Sequence, residues 1–240
     1  MNAMILTLGV RRRVAGLVAV LLLAMTLPAH AQTPAVSDPF EPFNRAVFEF
    51  NDALDRALVK PVTLFYTEVV PETPRQLLRN VVGNILEPWN AFNNLLQGKP
   101  AEAASDLARF AVNMLFSLGL GDPATEAGLP RSNEDLGQTL GVWGIGPGPY
   151  LVLPFLGPSS VRDGIGRIAD IGYDPSRRLA DKDAFTALTA LRLIEVRAAL
   201  LPAERLMEGA ALDPYSFIRN AYLQRRQNLV YDGNPPEPKE

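Results

Sequence analysis

Phe43, Val47, Phe50, Leu54 and Leu58 recur at spacings of four, three, four and four residues, which puts them on one face of an α-helix. Asp38-Pro39-Phe40-Glu41-Pro42 opens that helix as turn and capping residues do, and Pro61 ends it or closely follows its end. Val62–Val70 then reads as an extended or short helical connector. Phe48 breaks the pattern. At about 100° per residue it falls on the opposite side, beside Asn44, Asn51 and Asp55. Both faces of the helix are therefore expected to be covered, by the rest of the fold or by lipid or a partner protein.

Thr73-Pro74-Arg75-Gln76 has the form of a capping box and starts a helix reaching about Leu86, before Glu87-Pro88. A short helix from Trp89 to Gln97 stops at Gly98. The next helix, Pro100 to about Leu118, carries its polar residues (Glu102, Ser105, Asp106, Arg109, Asn113, Ser117) in a stripe about 120° wide. Everything else on it is Ala, Leu, Phe, Val or Met, the reverse of an ordinary surface helix. Two environments fit: the centre of a helical domain, with the stripe meeting internal polar partners, or a helix lying on lipid with its stripe lining something wet.

Gly119-Leu120-Gly121-Asp122-Pro123 breaks that helix, and Ser132-Asn133-Glu134-Asp135 starts a short one. Gly137–Asp163 then combines ten glycines and prolines with Val142, Trp143, Ile145, Tyr150, Leu151, Val152, Leu153, Phe155 and Leu156. A loop in water would not carry that apolar load. Gly144–Gly148 reads as the tip of a hairpin or loop between Thr139–Trp143 and Tyr150–Phe155. A phosphate-cradling loop does not fit, because prolines interrupt the glycines, no lysine follows and the next segment is extended.

Ser159 or Ser160 can cap a helix from Val161 to about Ile171. Asp181–Leu201 is a long helix with Phe185, Leu188, Leu191, Ile194 and Ala198 on one face; Pro202 kinks it or restarts a helix to about Ala211. Asp213-Pro214 opens a last helix whose Arg225 and Arg226 suit the negative end of its dipole. The pattern thus predicts a mainly α protein: a single compact domain of amphipathic helices over 38–232, with one Gly/Pro-rich hairpin or loop. Residues 233–240 read as a disordered tail.

Composition changes this picture at the N-terminus. Arg11–Arg13, an uncharged apolar run from Val14 to Leu27 and Ala29-His30-Ala31 form a cleavable signal peptide over 1–31, followed by a flexible leader over 32–37. The protein is therefore expected to be exported. Cleavage leaves 20 basic against 26 acidic residues, a net charge of −6 that argues against nucleic acid as a partner. It also removes the single histidine from a chain with no cysteine. Ser-His-Asp and Cys-His catalysis, and zinc held by imidazole or thiolate, are thereby excluded. The reading is of a protein that is not an enzyme and needs no cofactor or metal.

Five segments resemble the MlaA (VacJ) family of outer-membrane phospholipid-transport proteins: DPFEPFNRAVFEFN (38–51), NILEPWNAFNNLLQG (84–98), RFAVNMLFSLGLGDPA (109–124), EDLGQTLGVWGIGPGPYLVLPFLGPSSVRDGIGRIAD (134–170) and DPYSFIRNAYLQRR (213–226). The resemblance implies a ring-like arrangement of helices in the outer membrane around an amphipathic channel. Through it, misplaced outer-leaflet phospholipids pass to a periplasmic carrier protein, beside a trimeric porin, with no covalent chemistry. On that basis Asn44, Arg45, Phe48, Asn51, Arg109 and Asn113 are candidate channel-lining or structural residues. Trp143, Gly144, Gly146, Gly148 and Tyr150 belong to a candidate mobile hairpin beside the passage. Family members are commonly lipidated on a cysteine that this sequence lacks, so attachment would rest on apolar surface and a porin. The alternative is a porin-binding periplasmic scaffold that moves no lipid; a phospholipase-like enzyme is disfavoured by the missing histidine and cysteine.

Overall fold

Helix α1 (Glu41–Leu54) does not stop at Pro61. It widens into one π-helical turn (Asp55–Val59) and continues as α2 (Lys60–Val69). Pro61 has no N–H to donate and its ring crowds the preceding turn. The π-turn supplies the slack, and Lys60 N–H reaches back five residues to the Asp55 carbonyl. The connector predicted over 62–70 is thus helical. This computed structural model describes residues 38–179, 181–207 and 213–236. The signal peptide, the leader, Ala211 and residues 237–240 of the tail lie outside them, while Gly233–Pro236 are exposed.

The two helices expected on either side of Pro88 are one, α3 (Glu72–Leu96), with the proline inside. Asn80, Asn84, Glu87, Ala91 and Asn94 are buried along it at spacings of four, three, four and three, a continuous seam that a break at Pro88 would have destroyed. Gly98, at φ +77°, ends the helix, and Lys99 N–H caps the Asn94 carbonyl at 2.9 Å. The chain reverses there into α4 (Pro100–Ser117), which packs along α3 through Ala103, Asp106, Arg109 and Asn113. A single turn, α5 (Pro123–Glu126), follows.

The Gly/Pro-rich stretch differs from its expected form. Asp135, rather than Ser132, caps the next helix, accepting from Gln138 N–H, so α6 covers Leu136–Val142 and takes in most of the strand expected at Thr139–Trp143. The hairpin lies later, with β1 (Tyr150–Leu153) antiparallel to β2 (Gly157–Ser160) and a tip of Pro154, Phe155 and Leu156. Trp143–Pro149 is the loop leading into it. Gly137 serves contact instead of turning: a Cβ on Gly166 would lie 2.4 Å from its backbone nitrogen. That close approach lets α6 cross α7 (Val161–Tyr173), which Ser160 caps through Asp163 N–H. After the short α8 (Ser176–Leu179), α9 (Lys182–Met207) runs unbroken through Pro202 and packs on α2 and α3. The last helix, α10 (Pro214–Val230), lies against α6 and β2.

The fold is inverted in polarity. Among the described residues, nine apolar residues are buried against nineteen polar or charged ones. Phe43 and Phe50, two of the five apolar residues that predict α1, are at least half exposed, whereas Asn44 beside them is fully buried. Leu115 and Phe116 stand out from α4 and Ile168 from α7 in the same way. Only a small apolar cluster remains inside, Tyr150, Val152 and Tyr215 with Val47, Phe48, Tyr222 and Leu223 around it. No described helix is long and apolar enough to cross a membrane.

Candidate functional site

The predicted site residues fall into two separate polar networks. In the first, α1 holds the open edge of β1 and the hairpin tip with one asparagine amide each. Asn44 donates to Tyr150 O (3.0 Å) and accepts from Val152 N–H (2.8 Å); Asn51 donates to Leu153 O (3.0 Å) and accepts from Phe155 N–H (2.8 Å). Seven helical residues rise about 10.5 Å and three strand residues about 10 Å, so the two rows stay in step. The Asn44 amide stands in for a peptide unit of a missing neighbouring strand and closes that edge, while the Asn51 amide pins the turn at its end. Asn44 also donates to Asp38 at 2.9 Å.

Arg45 takes part at the rim. It pairs with Glu41 (2.8 Å) and Asp213 (2.7 Å) and lies over the Tyr215 ring at 4.4 Å. Its hydrogen bonds, with one from Ser216, hold the Asp213 carboxyl well below the usual carboxylate range. Phe48 meets Tyr215 edge-on at 5.7 Å and Tyr150 forms the floor of that cluster.

The second network fills the α3–α4 seam. Fully buried Arg109 donates through Nε to Glu87 (2.9 Å) and through Nη2 to Asp122 (2.8 Å). Asn113 donates to Asn84 (2.7 Å) and Asp122 (3.1 Å) and accepts from Ala124 N–H (2.9 Å). Burial pushes both carboxyls up. At Asp122, hydrogen bonds from Thr125 and Asn113 and the charges of Arg131 and Arg109 outweigh it and hold the group low. At Glu87, burial wins and the carboxyl stays raised. The stripe on α4 thus meets internal polar partners while its apolar arc faces outward, joining one element of each environment the sequence allowed.

A third cluster, invisible in the sequence, joins α6, α7 and α10. Arg226, read as a helix-dipole residue, instead bridges Asp135 (2.6 Å) and Asp163 (2.9 Å), and the Tyr222 hydroxyl donates to Asp163 at 2.7 Å. These groups, with Ser159, Arg167 and Asp170, line a cavity of about 60 Å³, room for ordered water. Asp170 accepts from Trp89 Nε1 (3.0 Å) and Leu136 N–H (3.1 Å). Burial, and the charge of Asp135, push its carboxyl up to about 6. The native state therefore holds a proton that the unfolded chain releases near 3.8, so this group favours folding at low pH and loses that advantage as pH rises to about 6. Asp170→Asn keeps both hydrogen bonds without the charge. It is expected to raise stability at pH 7 by roughly 1–2 kcal/mol, after discounting for partial solvent contact, and to leave it unchanged at pH 4. Chemical denaturation at the two pH values measures this. Asp135 and Asp163, held low chiefly by Arg226 against burial, act oppositely and lose their contribution on acidification.

The Trp143–Pro149 loop spans the first and third networks. The Trp143 indole donates to Leu96 O at 2.8 Å, tying its entry to the end of α3. Gly144 (φ +86°) and Gly148 (φ +66°) occupy left-handed backbone, while Gly146 does not and has open space where a Cβ would go. Gly144→Ala is expected to cost about 1–2 kcal/mol and Gly146→Ala less than about 0.5, by urea unfolding. The sequence missed Asn84, Glu87, Asp122, Asp135, Arg162, Asp163 and Arg226. Only the asparagines of 80–94 left a signal, and it was hidden by dividing the helix at Pro88.

Polar seams inside and apolar faces outside define a mainly α protein of inverted polarity. The chain belongs to the MlaA lipoprotein family, whose model matches residues 36–229. It is 36% identical over 211 residues to the intermembrane phospholipid transport system lipoprotein MlaA of Escherichia coli K12, covering 85% of this chain and 82% of that one. The protein of the same name from Haemophilus influenzae is 30% identical over 209 residues, covering 85% and 83%. A solved structure described as the structural basis for maintenance of bacterial outer membrane lipid asymmetry superposes with a TM-score of 0.72 at 35% identity, covering 81% of this chain and 99% of that one.

Proposed function

We propose that this protein works in a phospholipid transport system that maintains lipid asymmetry of the outer membrane. In this reading it sits among lipids, takes misplaced phospholipids from the outer leaflet through an amphipathic passage and delivers them to a periplasmic carrier protein, with a trimeric porin as its membrane partner. The carrying observation is the inverted polarity. Exposing Phe50, Phe65, Leu115, Phe116 and Ile168 together is costly in water and favourable in hydrocarbon. The hairpin tip supports the same setting. Pro154 has no donor, Phe155 N–H is bound by Asn51 and Leu156 N–H by Leu153 O (3.2 Å), as an apolar medium requires. Side chains would act by shape, polarity and hydrogen bonding, with no covalent step.

Deleting the protein from its host is expected to raise the phospholipid exposed on the cell surface, and the intact chain to restore asymmetry. Normal asymmetry without it would exclude the transport role. Phospholipid copurifying after mild extraction separates transport from a porin-binding scaffold, which would carry none.

A further inference from the structure

We propose that Arg162 is the positioning residue of the Ile145–Pro149 loop, a latch whose release lets the loop move beside the lipid passage; the second half rests on the transport reading above. The loop lies between two fixed points. Before it, Trp143 is bound to Leu96 O, and Gly144 and Ile145 N–H return to the Gly141 (2.9 Å) and Leu140 (3.0 Å) carbonyls. After it, Asn44 holds Tyr150 O. Gly144 and Gly148, both at positive φ, stand just inside these points, where a hinge would be placed.

Between the hinges the loop is exposed from Gly146 to Pro149, and few groups restrain it. Val161 and Arg162 N–H, first-turn amides that α7 cannot use internally, donate to Pro149 O and Pro147 O, each at 3.1 Å. The guanidinium of Arg162 then reaches across to the incoming limb, where Nη1 donates to Ile145 O at 3.2 Å. Among the described residues it is the only side chain hydrogen-bonded to the backbone of 144–149. One residue thus holds both limbs. Its buried head is aimed by Asp163, which accepts from Nε at 2.9 Å.

Removing the latch need not unfold the site. Asp163 keeps Arg226 and Tyr222 as partners, so no buried carboxylate is orphaned. The chain has no cysteine, so Gly146→Cys offers a unique position for a nitroxide label, at a backbone conformation open to any residue. In the full-length protein in phospholipid nanodiscs, the label is expected to show an immobilised component. That component should disappear with Arg162→Ala and with Arg162→Lys, which keeps the charge but not the forked reach, while the unfolding midpoint changes little. Arg167→Ala, which loses only a bond to Leu156 O at the hairpin tip, should leave the spectrum unchanged. The same unlabelled Arg162 variants, expressed in the deletion host, should fail to restore lipid asymmetry. An unaltered spectrum in Arg162→Ala would overturn the latch. A freed label with full restoration of asymmetry would overturn its role in lipid passage. A deletion host with normal asymmetry would count against the transport reading itself and leave the spectroscopic result standing.

Discussion

Arg109→Met is expected to destabilise the protein by about 3–5 kcal/mol, the largest single-residue effect expected, because it strips the buried Glu87 carboxylate of its charged partner. Arg109 has no exposed surface, and Glu87 beside it is equally inaccessible. Methionine fills part of the volume but leaves Glu87 with no charged partner nearer than Arg131 at 3.9 Å, whereas Asp122 keeps Arg131 at 2.9 Å, Asn113 and Thr125. The double variant Glu87→Met/Arg109→Met should recover much of the loss, since replacing both members of a buried pair is far milder than removing one. Urea unfolding in detergent, read as a double-mutant cycle, measures both. A loss below about 1 kcal/mol for Arg109→Met would show that water or lipid already solvates the seam.

The second large effect separates the two asparagines that hold the hairpin. Asn44→Ala should cost about 2–4 kcal/mol, because the Tyr150 carbonyl and Val152 N–H are left buried without partners. Asn51→Ala should cost less than about 1 kcal/mol where the tip meets water, as in the unfolding assay, since Phe155 is two-thirds exposed and its amide can then find a water acceptor; in a bilayer, which offers none, the loss should be larger. Its consequence is expected in motion, with the hairpin tip uncoupled from α1 and faster hydrogen exchange at Phe155. Equal losses of stability in the two variants would contradict the clamp geometry.

Much of the local structure was legible without a fold. Glycine at 98, a serine cap at 159 or 160, the ends of α4, the start of α10 and the polar stripe of α4 depend on residues a few positions apart, and the stripe's composition marked Arg109 and Asn113 as members of one face. The proline junctions were not legible in the same way. Pro61 and Pro88 lie within continuous helix because a π-turn and the packing of α3 on α4 absorb them, and neither is a property of the proline's immediate neighbours. The strand at Tyr150–Leu153 was expected as a hairpin arm, but its pairing with Gly157–Ser160 and the helical state of Gly137–Val142 were decided by the fold, the latter with Gly166 on α7 in close approach.

By itself the sequence determined which residues share a face, where several helices begin, and membership in the family through long motifs. Only the tertiary structure decided which face is inside. Periodicity sorts side chains by angle around a helix axis but carries no sign; the sign normally comes from water, which drives apolar faces inward. In this chain the apolar faces point outward, and asparagine, arginine and carboxylate seams face one another within. That arrangement is stable because most buried donors and acceptors are paired, many with side chains of other helices or with carbonyls of the loops between them, a pairing set by three-dimensional register and not by spacing along the chain.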